Sequence, residues 1–213
     1  MTRSELLMDG PTDSPRVYVF AHGAGAPMDS DWMTAVASLL AKREIKVIRF
    51  EFPYMAARRI DGRKRPPDSA KRLHATWHEV IDLVGGPQEV FIGGKSMGGR
   101  QASLIADELE VKGLICLGFP FHAPGKVPGN RIEHLKTLKT PTLICQGTRD
   151  PMGTQAEVAG YALSQQIQLS WLEDGDHSFK PRVKSGYTLA GHLQQVVYQI
   201  DVFMSALALP ERD

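Results

Sequence analysis

Short apolar runs alternate along this chain with longer helix-like stretches, and the alternation organises it from end to end. Runs such as Val17-Tyr-Val-Phe-Ala21 and Gly113-Leu-Ile-Cys-Leu117 are too short for helices and read as buried strands. The pattern predicts strands at 17–21, 46–50, 89–92, 113–117, 142–145 and 168–172, and helices at 31–42, 69–84, 98–108, 155–163 and 187–207. A further short strand around 6–8 is expected to pair with the first of these. Strands that alternate with helices call for a parallel sheet covered on both faces. The fold class is therefore α/β, a doubly wound, mostly parallel sheet of about six to seven strands. The 213 residues fit a single domain, with a core from about 16 to 204. Residues 119–139, rich in Pro and Gly, are the one segment available for a lid, so no cap domain is expected and the pocket should be open.

One strand ends in chemistry. Glu89-Val-Phe-Ile92 runs into Gly94-Lys95-Ser96-Met97-Gly98, a serine between small residues at a strand-to-helix turn. Such a turn strains the backbone at the serine and lifts its hydroxyl clear of the fold, and only tiny residues fit two positions before and after it. Upstream, Val17-Tyr-Val-Phe-Ala21 feeds His22-Gly23-Ala24-Gly25, a small-residue loop able to aim backbone N–H groups at a developing alkoxide. Ala24, with Gly25 as the alternative, and Met97 are the candidate donors. His22 reads as a brace for this loop, because a general base is better supplied further along the chain.

Downstream, the strand Thr142-Leu-Ile-Cys145 delivers Asp150, and the strand Gln168-Leu-Ser-Trp-Leu172 delivers His177. A serine is a poor nucleophile until a base takes its proton, and the imidazole needs an acceptor to fix its tautomer. Ser96, His177 and Asp150 could meet those needs as nucleophile, base and orienting acid. Asp174 and Asp176 are rivals for the acid role, although sequence neighbours of an imidazole are seldom placed behind it. His122 follows another strand and is either structural or a substrate contact. His74, His78, His134 and His192 have no evident partner.

The order Ser96, Asp150, His177 is the nucleophile–acid–base order of α/β-hydrolases. With it, the strings His22-Gly-Ala-Gly, Gly94-Lys-Ser-Met-Gly-Gly, Gly147-Thr-Arg-Asp150 and Gly175-Asp-His177-Ser-Phe resemble that superfamily, in its dienelactone-hydrolase-like branch of small, lidless enzymes. More narrowly, Arg49-Phe-Glu-Phe-Pro-Tyr-Met55, Arg65-Pro-Pro-Asp68 and Phe119-Pro-Phe-His-Ala-Pro-Gly-Lys126 are similar to the hydrolase-like family that includes testis-expressed and histone-acetyltransferase-complex proteins. The resemblance covers nearly the whole chain. It implies the fold and a Ser-His-Asp triad rather than a substrate. Lys95, before the serine, departs from the His, Tyr, Asp or Glu of many esterases.

Composition changes little in this picture. Lys and Arg number 25 against 24 Asp and Glu, so no global attraction to nucleic acid is implied. The N-terminus lacks a signal-peptide core, no apolar run approaches a membrane span, and Cys116 and Cys145 fall inside strands as expected of a reducing cytoplasm. Arg58, Arg59, Arg63, Lys64 and Arg65 cluster in a segment that should form a loop at the catalytic edge. They form either a basic rim for an anionic ester or a solvated loop. Lys95, His122, Arg58 and Arg59 are the candidate substrate contacts. The expected function is that of a serine esterase acting on a small carboxylic ester or related acyl compound through an acyl-enzyme, with no metal or organic cofactor. The alternatives are an acyltransferase with the same triad and a non-catalytic hydrolase-like scaffold for protein interaction. Oligomeric state is left open.

Overall fold

The computed structural model describes residues 6–127 and 129–208. Residues 1–5, part of the stretch read as lacking a signal peptide, lie outside the described residues, as does Pro128 of the lid segment. Seven strands form one sheet in the order β1-β3-β2-β4-β5-β6-β7. They are β1 (Leu7–Asp9), β2 (Val17–Ala21), β3 (Lys46–Phe50), β4 (Val90–Lys95), β5 (Gly113–Leu117), β6 (Thr142–Gly147) and β7 (Ile167–Leu172). All neighbours pair in parallel except β1, which runs antiparallel to β3. The expected first pairing is thereby corrected: β1 adds to β3, with Met8 opposite Ile48, and not to β2. The arginine of β3 explains the choice, since Arg49 donates from Nη2 to Asp9 Oδ2 at 2.9 Å and so ties the β1 end to β3.

Helices cover both faces: α1 (Asp31–Ala41), α2 (Pro53–Asp61), α3 (Ala70–Leu83), α4 (Met97–Ser103), α5 (Ala106–Leu109), α6 (Gln155–Val158) and α7 (Leu189–Ala208). One face buries the aromatic group Phe50, Phe52 and Trp77, with Phe50 and Trp77 edge to face at 4.8 Å between centroids. The other buries Phe20, Phe91 and Phe179 beneath α1 and α7. Among the described residues no cap domain is inserted; residues 129–136 of the lid segment form a 3-10 helix.

Three helices differ from expectation. Residues 98–108 form two helices, because Leu104 and Ile105 tighten to i,i−3 hydrogen bonds and Ile105 leaves the helical region at φ −120°. The Asp107 carboxylate then accepts from the backbone N–H groups of Lys139 and Thr140, holding α5 in its new direction. Residues 155–163 make only the single turn of α6, begun by a capping box between Thr154 and Glu157. The third difference is α2, which occupies most of the segment read as a basic loop. Pro53 opens it, where a missing N–H costs nothing, and Gly62 closes it at φ 71°.

The strand order places the reversal of winding between β2 and β4. Loops leaving these two strands part in opposite directions and open a crevice at their carboxyl ends. Register sets what meets there: Ala21 lies opposite Gly94, so the loop after β2 and the turn after β4 begin side by side.

Candidate active site

Ser96 sits on the turn between β4 and α4 with φ 51° and ψ −115°, a conformation that β-carbon-bearing residues rarely adopt. The flanking glycines are required by contact. A Cβ on Gly94 would stand 2.3 Å from Ala21 O, and one on Gly98 would stand 2.6 Å from His22 O. The serine hydroxyl is thereby carried to the crevice, 2.8 Å from His177 Nε2. His177 Nδ1 lies 2.7 Å from Asp150 Oδ2. With Nδ1 carrying the proton, the ring donates to Asp150 and accepts from Ser96, one continuous line across the ends of β4, β6 and β7.

Asp150 is fully buried, and its other bonds fix it. Oδ2 also accepts from Gln146 Nε2 at 2.8 Å, and Oδ1 accepts from the Met152 N–H at 2.8 Å. The rival acids are occupied elsewhere. Asp176 Oδ1 accepts from the N–H groups of Ser178 and Lys180, capping the turn that follows. Asp174 accepts from Arg182 Nε at 2.7 Å and lies 2.9 Å from Arg149 Nε; the Arg182 bond leads in holding its carboxyl down at about 2.

The loop carrying His177 is clamped at three successive carbonyls. Lys95 Nζ donates to His177 O at 2.7 Å, Trp32 Nε1 to Ser178 O at 3.1 Å, and His192 Nδ1 to Phe179 O at 2.6 Å. Lys95 is therefore bonded to the base's own backbone, while also lining the crevice and lying 5.7 Å from the Trp32 ring centre.

The loop after β2 is held in a similar way. His22 is fully buried; Nδ1 donates to Gly23 O at 2.7 Å, and Nε2 accepts from the Phe52 N–H at 3.1 Å. Burial lowers its pKa, which suits this neutral, bracing tautomer. From α2, Tyr54 Oη lies 3.0 Å from Ala24 O and 3.4 Å from Gly23 O. Arg58 Nη1 donates to Gly25 O at 3.3 Å. Sequence reasoning did not anticipate Tyr54 or Trp32, because their roles depend on a helix packing beside a loop distant in the chain. Met97 opens α4, so its N–H is one of the orphan donors at a helix start.

The remaining candidates part company. Arg59 donates to Glu51 from Nε and to Asp29 from Nη1, at 2.6 and 3.0 Å, and these bonds raise its pKa further. Arg65 pairs with Asp61. Neither Arg58 nor Arg59 lines the recesses beside Ser96. His122 is buried and lines neither recess, Nδ1 donating to Ala123 O at 2.9 Å and Nε2 lying 3.6 Å from Glu157. Two open recesses do adjoin Ser96. One, of about 390 Å³, runs past Met97 and Arg100; the other, of about 340 Å³, runs past Trp32, Lys95 and His177.

A strained serine at the switch point of such a sheet points to one superfamily, and comparison agrees. Residues 14–205 match the alpha/beta hydrolase domain family, and the chain belongs to it. It is similar in fold to a dienelactone hydrolase from Anabaena variabilis, at TM-score 0.72 and 21% identity, over 94% of this chain and 90% of that one. An esterase domain from Rhodothermus marinus aligns at TM-score 0.65 and 17% identity, over 92% and 90% of the two chains. A lidless a/b serine hydrolase from Xanthomonas campestris aligns at TM-score 0.62 and 21% identity, over 92% and 88%. At such identities the likeness is one of fold. Among the described residues no helix is long and apolar enough to cross a membrane.

Proposed function

We propose that this chain is a single-domain serine hydrolase that cleaves a small carboxylic ester or related acyl compound. The observation that carries the reading is the line from Asp150 through His177 to Ser96, at 2.7 and 2.8 Å, ending on a strained serine. Ser96 Oγ attacks the carbonyl carbon while His177 Nε2 takes its proton. Asp150 keeps the other ring proton on Nδ1 and stabilises the imidazolium. The N–H groups of Met97 and Ala24 receive the negative charge that develops on the carbonyl oxygen. His177 returns its proton to the departing alkoxide, leaving the acyl group on Ser96. Water then enters, gives a proton to His177, and attacks the acyl carbon; the proton returns to Ser96 as the acid leaves.

Two open recesses that share Ser96 support a substrate with distinct acyl and alcohol portions. The narrower likeness to the testis-expressed hydrolase-like family supports the fold and triad and leaves the substrate open. Buried free thiols at Cys116 and Cys145 support a reducing, cytoplasmic setting, burial pushing Cys145 up to about 12. Turnover of 4-nitrophenyl esters of graded acyl length tests the reading. Ser96→Ala should lower kcat by on the order of 10⁴-fold or more. Equal turnover by the variant would remove Ser96 from the reaction.

A further inference from the structure

Two arginines line the recess on the Met97 side of Ser96, and among the described residues neither is paired with a carboxylate. Arg100 lies on α4 one turn beyond Ser96, and Arg131 comes from the 3-10 helix of residues 129–136; both line the recess that Ser96 lines. Arg100 Nε is buried without a hydrogen-bond partner among the described residues. Arg131 Nη1 makes a long contact to Pro120 O, at 3.5 Å. By contrast, the buried Arg49 is paired with Asp9 and the partly buried Arg16 with Asp201.

Among the described residues, the one carboxylate lining the recess is engaged elsewhere. Asp68 lines the same recess, but its Oδ2 accepts from the Tyr54 N–H at 2.8 Å and its Oδ1 lies 3.4 Å from Arg72. His134 contacts Ser103 Oγ at 2.8 Å; burial first, then the Arg100 charge, draws its pKa down to about 4, so it is neutral at pH 7. Burial, and then the charge on Arg131, lowers the pKa of Arg100 itself. Two like charges kept near each other and short of water are unfavourable until an anion enters between them. A planar guanidinium fork matches a carboxylate.

We propose that Arg100 and Arg131 form a subsite for a carboxylate carried by the substrate, which makes that substrate a half-ester of a diacid or an ester of a hydroxy acid. That the carboxylate belongs to an ester rests on the serine-hydrolase reading; the subsite itself rests on the arginines alone.

Two matched pairs of esters separate the sources of the carboxylate. On the acyl side, mono-4-nitrophenyl glutarate is compared with 4-nitrophenyl pentanoate; on the alcohol side, 4-butyryloxybenzoate with phenyl butyrate. The wild type should prefer the anionic member of one pair. Arg100→Met and Arg131→Met should each lower kcat/KM for it by about 10- to 100-fold, the neutral member changing by less than about threefold. Arg131 stands on a surface 3-10 helix, so its variant remains informative should Arg100→Met fail to fold. Turnover with no anionic preference in either pair, or equal losses for both members, overturns the subsite and leaves the hydrolase reading standing. If no ester is turned over, calorimetric titration with glutarate decides the subsite by itself. Binding that Arg131→Met abolishes then supports the subsite while the hydrolase reading fails, and absence of binding to the wild type overturns the subsite.

Discussion

Lys95, the residue before Ser96, holds the backbone of His177: its Nζ donates to the His177 carbonyl at 2.7 Å. The bond joins the end of β4 to the loop after β7, so serine and histidine are placed relative to each other by a side chain between them. Burial draws the Lys95 pKa from 10.5 to about 8, against the opposing pull of Asp150 and Asp176. An unfolded chain therefore holds more protons at this site between pH 8 and 10.5 than the folded one. Stability attributable to Lys95 must rise across that window, as the desolvation cost of the ammonium is relieved.

Lys95→Met keeps much of the stem and removes the titration. Urea unfolding at several pH values should show wild type gaining on the variant by on the order of 2–3 kcal/mol from pH 8 to 10.5. Turnover by the variant should fall about tenfold as the His177 loop loosens. Parallel stability curves for the two proteins would mean that the lysine is solvated and the clamp unimportant.

Tyr54 Oη meets two carbonyls of the loop after β2, Ala24 O at 3.0 Å and Gly23 O at 3.4 Å. Tyr54→Phe removes only the hydroxyl. If those contacts orient an oxyanion donor, kcat should fall roughly tenfold with KM nearly unchanged, since the lost interaction belongs to the transition state. A rise in KM at constant kcat would instead make Tyr54 part of substrate binding.

The three aspartates near His177 should separate in kinetics. Asp150→Asn places an amide where a carboxylate accepts from His177 and Gln146, and should cut kcat by roughly 10³- to 10⁴-fold while circular dichroism stays native. Asp176→Asn should cost far less. Asp174→Asn loosens the bonds from Arg149 and Arg182, and should lower the melting temperature more than the turnover. Near-normal turnover in Asp150→Asn, with a large loss in either of the others, would move the acid into the loop beside His177.

The serine turn was legible in the sequence because close contacts dictate its residues. Gly94 and Gly98 must be glycine where Ala21 O and His22 O press against them, and that demand leaves a trace in the string itself. Strands of the parallel sheet were legible for a similar reason, since burial on both faces makes them continuous apolar runs. The helix α2 was also written there, in Pro53 and Gly62, although its arginines read along the segment as a charge cluster. Their partners come from elsewhere: Arg59 reaches Glu51 at the end of β3 and Asp29 before α1. Spacing along one segment cannot reveal such pairings. The same holds for Trp32, Tyr54 and His192, whose polar atoms clamp loops distant in sequence, and for Arg131, whose place beside Arg100 depends on how residues 119–139 fold back.

Covalent capture at Ser96 tests the central claim most directly. The whole protein is treated with a fluorophosphonate, which phosphonylates an activated serine with loss of fluoride, and the product is read by intact mass and peptide mapping. The wild type should gain one adduct, confined to Ser96; Ser96→Ala should gain none, and His177→Ala should react on the order of 10³-fold more slowly or worse. An adduct on another residue, equal labelling of Ser96→Ala, or a wild type left unmodified would contradict the assignment of Ser96 as an activated nucleophile.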